Sequence, residues 1–444
     1  MTAHADDPAA TPAAPPAEAA DGRAPRAGRT TAGTRRASPP APGMDDTTEA
    51  WEALDLRPTD GARERLAALR AFMDGFVYPG EQEVEGGAAA DDVIAGLKAA
   101  ARERGLWNLC LPGTSGLGNL DYAYLAEETG RSPELAPAAI NGGPPDSVNM
   151  VMLDELATPD QRERWLRPLM DDAFSSAFAM TEPGVASSDA ANIATEIVRD
   201  GDTYVINGRK WFASGAADPR CAVLFVLGRT DAGAPPHRRH SLLAVPIDTP
   251  GVQIVRTLPV FGRSGDHAEI VLDAVRVPAN ELIGAEGAGF AAGQVRLGAA
   301  RVQHCMRLIG LAERALELLT RRAEARTAFG GPLSTQGLLR AQVAECRLAI
   351  DQARLLVLRT ARRIDTVGAR RARAEISAIK VAVLRAALTT LDRAIQVHGA
   401  LGVTDDVPLA RWWAHARGLH IADGPEEVHL EVVARTEFRR HRQT

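Results

Sequence analysis

The chain has 444 residues, 45% of them hydrophobic and 24% charged, an ordinary globular composition with room for two or three domains. A net charge of −6 and a pI near 6.0 exclude the basic face that a nucleic-acid binder normally carries. No apolar run reaches the ~18 residues of a membrane span, and the first residues lack the apolar core of a secretory signal, so a cytoplasmic protein is expected.

Residues 1–45 are mostly Ala, Pro, Gly, Arg, Thr and Asp. They cannot bury enough apolar surface to offset their ordering entropy and read as a disordered tail. Arg23, Arg26, Arg29, Arg35 and Arg36 suggest a targeting peptide, and Asp6, Asp7, Glu18 and Asp21 oppose it; Met44 is a second candidate start. From 46 to 172 the period is helical. Leu66, Leu69 and Phe72 share one face, as do Val93, Ile94, Leu97 and Ala101. The run Asp121–Gly130 stops on a glycine, and Thr158-Pro159 is a capped helix start.

From 173 to 286 the period shortens. Asp200-Gly201 and Asn207-Gly208 lie between short β-prone runs and predict a meander of hairpins. Ala222–Leu227, Ser241–Pro246 and Ala268–Leu272 add strands. From 287 to 444 long helical stripes return: Leu308, Leu311, Ala312, Ala315 and Leu319, then Val343, Cys346, Ile350, Ala353 and Leu356, then Ile376, Ile379, Val383 and Ile395. A helix from Gln336 to Asp365 would be ~45 Å long. The expected fold is multidomain α+β: a helical domain, a β-barrel or sandwich domain, then a four-helix bundle. No GxGxxG fingerprint is present, so any dinucleotide must be held in another way.

Cys110, Cys221, Cys305 and Cys346 have no metal-ligand or CxxC spacing and read as buried free thiols. Lys98, Lys210 and Lys380 are the only lysines, and the arginine excess reads as composition bias. His304, His398 and His420 lack ligand spacing and a matching Ser or Cys motif. They read as satisfied buried or helix-end histidines.

Five motifs stand in order: AFAMTEPGVASSDAANI (177–193), NGRKWFASGA (207–216), RTAFGGPL (326–333), QVHGALG (396–402) and ADGPEEVH (422–429). Together they resemble the acyl-CoA dehydrogenase family over roughly residues 50–440. The details are similar to the branch of family members ten and eleven, without its kinase-like fusion. The resemblance implies FAD as cofactor. It implies that Met180 and Thr181 contact the flavin ring, that Ser188 lies near the pyrophosphate or pantetheine, and that Phe212 and Ser214 stand where Trp and Thr usually face the flavin. It further implies that Arg326, Phe329, Gln396, Gly399 and Gly402 serve the FAD of a neighbouring subunit, in a homodimer or homotetramer. Each motif also has a plain structural reading: a Ser/Thr-rich turn, ordinary strand residues, a solvated helix-end arginine and helix-capping glycines.

Most of the family carries Tyr-Glu-Gly-Thr, with the glutamate as base. Here Asp423 takes that position, and Pro425 replaces the threonine. Burial against flavin and substrate should raise the pKa of Asp423. The alternative family position for a base is Ala300, and Arg301 beside it orients substrate or steadies Asp423. Asp423-Gly424 is equally a common turn signal, and Arg301 equally suits an intrahelical ion pair. The implied reaction is dehydrogenation of an acyl-CoA to trans-2-enoyl-CoA, with electrons passed to an electron-transfer flavoprotein. The alternatives are an oxygen-using flavoenzyme of the same fold, similar to nitroalkane oxidase or a flavin monooxygenase, and a non-catalytic flavin-bearing protein.

Overall fold

The computed structural model describes residues 55–442 except 263, 264 and 266; the expected tail, residues 1–45, lies outside the described residues. The N-terminal section is built on helices α1 (Asp60–Phe72), α2 (Ala90–Glu103), α3 (Asn119–Gly130) and α4 (Asp146–Leu156). Leu66, Leu69 and Phe72 of α1 and Leu97 and Ala101 of α2 are buried, so the apolar stripes face inward as their spacing predicts. Thr158 and Gln161 form a reciprocal capping box at the predicted helix start.

Seven strands follow: β1 (Ser175–Ala179), β2 (Glu196–Asp200), β3 (Thr203–Ala213), β4 (Cys221–Arg229), β5 (His240–Pro246), β6 (Val252–Thr257) and β7 (Ala268–Pro278). They form one sheet in the order β1-β4-β2-β3-β7-β6, with β5 also paired to β4. Both faces of β1, β4 and β5 are covered. Along β4, Val223, Phe225 and Leu227 join the helical core, while Leu224 and Val226 join a second core with Leu243, Val245, Ile270 and Leu272. That is why these strands read as continuous apolar runs rather than alternating ones.

Asp200-Gly201 makes the predicted turn between β2 and β3, with Gly201 at φ 62°. Asn207-Gly208 does not turn, contrary to expectation; β3 runs straight through it. The pair forms a bulge against β7, where the register shifts between Ile206 and Gly208. Asn207 Oδ1 accepts from the Ala274 amide (2.8 Å) across the strands, and a Cβ at Gly208 would overlap the Thr195 side chain.

The C-terminal section holds α5 (Gly289–Ala325), α6 (Gly337–Val367), α7 (Arg373–His398), α8 (Leu409–Leu419) and α9 (Glu426–Arg442). The 37 residues of α5 cross the N-terminal helix α3 at very short range. A Cβ on Gly130 would overlap the Arg307 backbone, and one on Gly310 would overlap the Glu127 carbonyl. All four cysteines are buried free thiols. Among the described residues no helix is long and apolar enough to cross a membrane.

The crossing makes a prediction that opposes helix propensity. Gly→Ala inside a helix normally adds up to ~1 kcal/mol. Gly310→Ala is instead expected to lower stability by about 1–3 kcal/mol, read as a fall in the thermal unfolding midpoint. Gly293→Ala in the same helix, where a Cβ meets open space, is the control and should not fall.

Candidate active site

The loop Met180–Asp189 leaves β1 and is pinned from below. Lys210 of β3 is fully buried, and its ammonium donates to Met180 O (2.9 Å), Glu182 Oε1 (2.8 Å) and Leu227 O (2.6 Å). The Glu182 carboxylate also accepts the amides of Ala194 (2.8 Å) and Thr195 (2.9 Å), where the chain returns toward β2. Thr181 Oγ1 donates to Trp211 O (2.5 Å) and Thr181 O accepts the Trp211 amide (3.0 Å). Burial pushes the Lys210 ammonium down to about 8, against the pull of Glu182. Burial works to raise the Glu182 pKa, but the charge and hydrogen bond of Lys210 outweigh it and hold it low.

Beside this loop a second register shift between β3 and β7, from Lys210 to Ala213, turns Phe212 outward. Its φ is 49°, and its ring is 47% exposed. A bulky side chain in left-handed backbone costs on the order of 1–3 kcal/mol, so Phe212 is not an ordinary strand residue. Its ring meets Trp211 edge-on at 5.0 Å. Ser214 Oγ and His267 Nδ1 share a hydrogen bond (2.8 Å). The structure therefore brings Met180 and Thr181 against Lys210 and Trp211 of β3, next to Phe212 and Ser214. Ser188 is exposed on the outer limb of the loop.

Asp423 stands on a turn between α8 and α9, with φ 58° at Asp423 and 102° at Gly424. Three helices close on that turn. Lys380 of α7 donates to Leu419 O (2.8 Å) and Ala422 O (3.0 Å). Arg301 of α5 donates to Asp423 O through Nε (3.2 Å) and Nη2 (3.0 Å), and His429 Nε2 of α9 reaches the same oxygen at 3.3 Å. Arg301 is thus no intrahelical ion pair. Ala300 is buried and apolar.

Two expectations are corrected here. Burial does work to raise the Asp423 pKa, but the hydrogen bond from His304 and the charges of Lys380 and Arg296 win and hold it well below the ordinary carboxylate value. His304 is also not a bystander: its Nδ1 lies 2.9 Å from Asp423 Oδ2. The two residues are 119 positions apart, so no spacing rule joins them. The available signal was that Arg301 and His304, three residues apart, share a helix face. His398 and His420 behave as expected, bonded to Ala394 O (2.8 Å) and Glu426 (2.8 Å).

A further chain was invisible in the sequence. Arg296 Nε donates to Asn149 Oδ1 (2.7 Å), with its guanidinium 4.4 Å over Phe178. Asn149 Nδ2 donates to Ser176 Oγ (2.9 Å), and Ser176 donates to Asp146 Oδ1 from both N (2.7 Å) and Oγ (2.6 Å). Burial raises the Asp146 pKa to about 6 despite those bonds.

Arg326, Phe329, Gln396 and Gly399 lie elsewhere. All four are exposed, and Phe329 is 96% exposed at the tip of a two-strand hairpin with φ 52°. Gly399 caps α7 with φ 67°, and a Cβ on buried Gly402 would come within 2.6 Å of Ile395 O. No hydrogen bond or ring contact among the described residues joins this group to the Met180 loop.

Three family models match the chain: acyl-CoA dehydrogenase N-terminal domain over residues 59–173, middle domain over 177–275 and C-terminal domain over 287–438. The chain is 54% identical over 402 residues to the probable acyl-CoA dehydrogenase FadE2 of Mycobacterium tuberculosis, covering 88% of this chain and 98% of that protein. It is 47% identical over 391 residues to acyl-CoA dehydrogenase family member 11 of Gallus gallus, covering 85% of this chain but only 50% of that longer protein. The solved acyl-CoA dehydrogenase of Geobacillus kaustophilus superposes with a TM-score of 0.72 at 27% identity, covering 85% of this chain and 98% of that one.

Two measurements check the electrostatics. Lys210→Met leaves Glu182 buried without its counter-charge and should cost about 3–5 kcal/mol in chemical denaturation; adding Glu182→Gln should recover part of it. For Asp146 the folded pKa, about 6, exceeds the ordinary 3.8. Its contribution is then fully present below pH ~4 and is lost as pH rises through ~6. Asp146→Asn should match the wild type below pH ~4 and exceed it above pH ~6, by up to about 3 kcal/mol.

Proposed function

From the premise that this chain belongs to the acyl-CoA dehydrogenase family, we propose that it is an FAD-dependent enzyme that removes a hydrogen pair across Cα–Cβ of an acyl-CoA thioester, giving trans-2-enoyl-CoA, with Asp423 as the base. The observation that carries this reading is the setting of Asp423. It is a mostly buried carboxylate kept ionised by surrounding cations, with Oδ2 bonded to His304 and Oδ1 without a partner among the described residues. An ionised carboxylate with one free oxygen can take a proton.

The residues present fit FAD. Phe212 holds an exposed aromatic ring beside Met180 and Thr181, in left-handed backbone that costs on the order of 1–3 kcal/mol. Ser188 offers a hydroxyl, and Arg326 offers a guanidinium suited to bidentate phosphate contact. Bound FAD supplies the hydride acceptor that no side chain provides. Met180, Thr181, Phe212 and Ser214 would hold its ring and Ser188 its phosphate side. Arg301 and Lys380 keep the Asp423 turn in place, and Asp423 receives the α-proton on Oδ1.

Arg326, Phe329, Gln396 and Gly399 are exposed and make no hydrogen bond or ring contact with the Met180 loop among the described residues, which supports a homodimer or homotetramer in which they complete a neighbour's FAD site, with Gly402 letting the backbone come close. An electron-transfer flavoprotein is the proposed electron acceptor.

Anaerobic titration of the purified flavoprotein with an acyl-CoA panel tests the reading. At least one thioester should bleach the flavin, and Asp423→Asn should lower the bleaching rate by about 10²-fold or more while retaining flavin. No bleaching by any thioester sinks the dehydrogenase reading. Turnover that requires oxygen turns it toward an oxygen-using flavoenzyme.

A further inference from the structure

Aspartate is one methylene shorter than the glutamate it stands for, which withdraws the carboxylate by roughly 1.5 Å, one C–C bond. A misplacement of ~1 Å can cost about 10²-fold in a positioned reaction, so a short base has to be aimed. The backbone of the turn is already fixed. Asp423 O takes bonds from Arg301 and His429, and the flanking carbonyls of Leu419 and Ala422 take Lys380. What remains free is rotation of the Asp423 side chain. Among the described residues one side chain bonds its carboxylate, and that is His304, with Nδ1 at 2.9 Å from Oδ2.

The other imidazole nitrogen supports a directed role. Among the described residues, His304 Nε2 is buried with no hydrogen-bond partner. A histidine kept for packing alone would be expected to satisfy both nitrogens or to give way to an apolar side chain. Here an unmet acceptor is tolerated on one side of the ring while the other side meets a carboxylate. Because Nδ1 faces an acceptor, it carries the proton and Nε2 is bare. Burial disfavours a second proton on the ring. So do the charges of Arg307 on its own helix and Lys380 on α7, while Asp423 pulls the other way. His415 on α8 also faces the ring and is pushed down to about 4, chiefly by burial. The groups that face Asp423 are Arg296, Arg301, His304 and Cys305 of α5, Lys380 of α7 and His429 of α9.

We infer that His304 is the positioning residue for Asp423: its Nδ1–H holds Oδ2, which aims Oδ1 at the substrate α-proton. The inference rests on the proposed role of Asp423 as base. It adds that a neutral imidazole, 119 residues away in the chain, makes an aspartate usable where the family commonly has a glutamate.

The test compares wild type, His304→Leu and His304→Asn as holoenzymes, using a thioester that bleaches the wild-type flavin. Asparagine can place an amide N–H near the Nδ1 position, whereas leucine cannot. Flavin reduction is followed anaerobically from pH 5 to 9, and ¹⁵N-histidine NMR of the wild type reads the tautomer without turnover. Without the His304 bond, burial is less opposed and the Asp423 pKa rises. Its protonated, inactive form then reaches higher pH, so an acid limb should enter the accessible range.

The expected result is a roughly 10²-fold slower reduction in His304→Leu, with that new acid limb and unchanged thioester affinity. His304→Asn should recover most of the rate and the wild-type profile. The NMR should show His304 protonated at Nδ1 and bare at Nε2 across the range. Three outcomes overturn the inference: a His304→Leu rate and pH profile equal to the wild type, equal loss in both variants, or an Nε2-protonated ring. If no thioester bleaches even the wild type, the dehydrogenase reading falls, and this inference falls with it.

Discussion

Lys210 directs its three N–H bonds at three oxygens drawn from three places: the start of the Met180 loop, the Glu182 carboxylate inside that loop, and strand β4. With the two Thr181–Trp211 bonds, this contact ties the loop to the sheet. Its closing bonds from Ala194 and Thr195 end on the same carboxylate that Lys210 neutralises. Lys380 does similar work at the other end of the site, gathering two carbonyls of the turn that carries Asp423. Lysines are only three of the 51 basic residues in the chain, yet two of them are these buried pins. A planar guanidinium cannot point at acceptors arranged around one compact ammonium, so arginine is no substitute there. What reads as composition bias over most of the chain is, at these two positions, geometry.

The carboxylate that Lys380 helps to seat is under competing pressures. Burial favours its neutral acid, while the His304 hydrogen bond and the charges of Lys380 and Arg296 favour the anion, and together they prevail. The turn therefore holds an ionised carboxylate, at the cost of crowding several positive groups into one region. That crowding is visible in the partners: burial lowers the pKa of both Arg296 and Lys380, with Asp423 pulling each back up. A substrate that displaces solvent from this region strengthens the burial side of the balance.

Much of the architecture was legible from residue periodicity. The helical stripes at Leu66–Phe72 and Leu308–Leu319 face the core as spaced, the Thr158 cap holds, and Asp200-Gly201 turns where a type-specific glycine turn was expected. Asn207-Gly208 carries the same local signal and does not turn, because β7 supplies a partner for Asn207 and Thr195 fills the space a side chain would need. Local chemistry offers the option of a turn; neighbouring strands decide whether it is taken. In the candidate site, Met180, Thr181, Phe212, Ser214 and Asp423 were nominated as motif positions and Arg301 by its place beside Ala300. His304, Arg296, Asn149 and Asp146 were not, since each matters through a partner distant in the chain.

The sequence by itself determined the order of helical, β and helical sections, the buried stripes, and the motif residues of the candidate site. These follow from side-chain pattern along the chain, which is a local property. Only the tertiary structure decided that Asp423 is held as an anion, that His304 is bonded to it, and that Phe212 stands out of its strand in left-handed backbone. Those features depend on which charges and strands come within a few ångströms of one another. Burial and electrostatic coupling are sums over neighbours in space, so an aspartate in a turn motif carries no mark of its charge state until α5, α7 and α9 close around it.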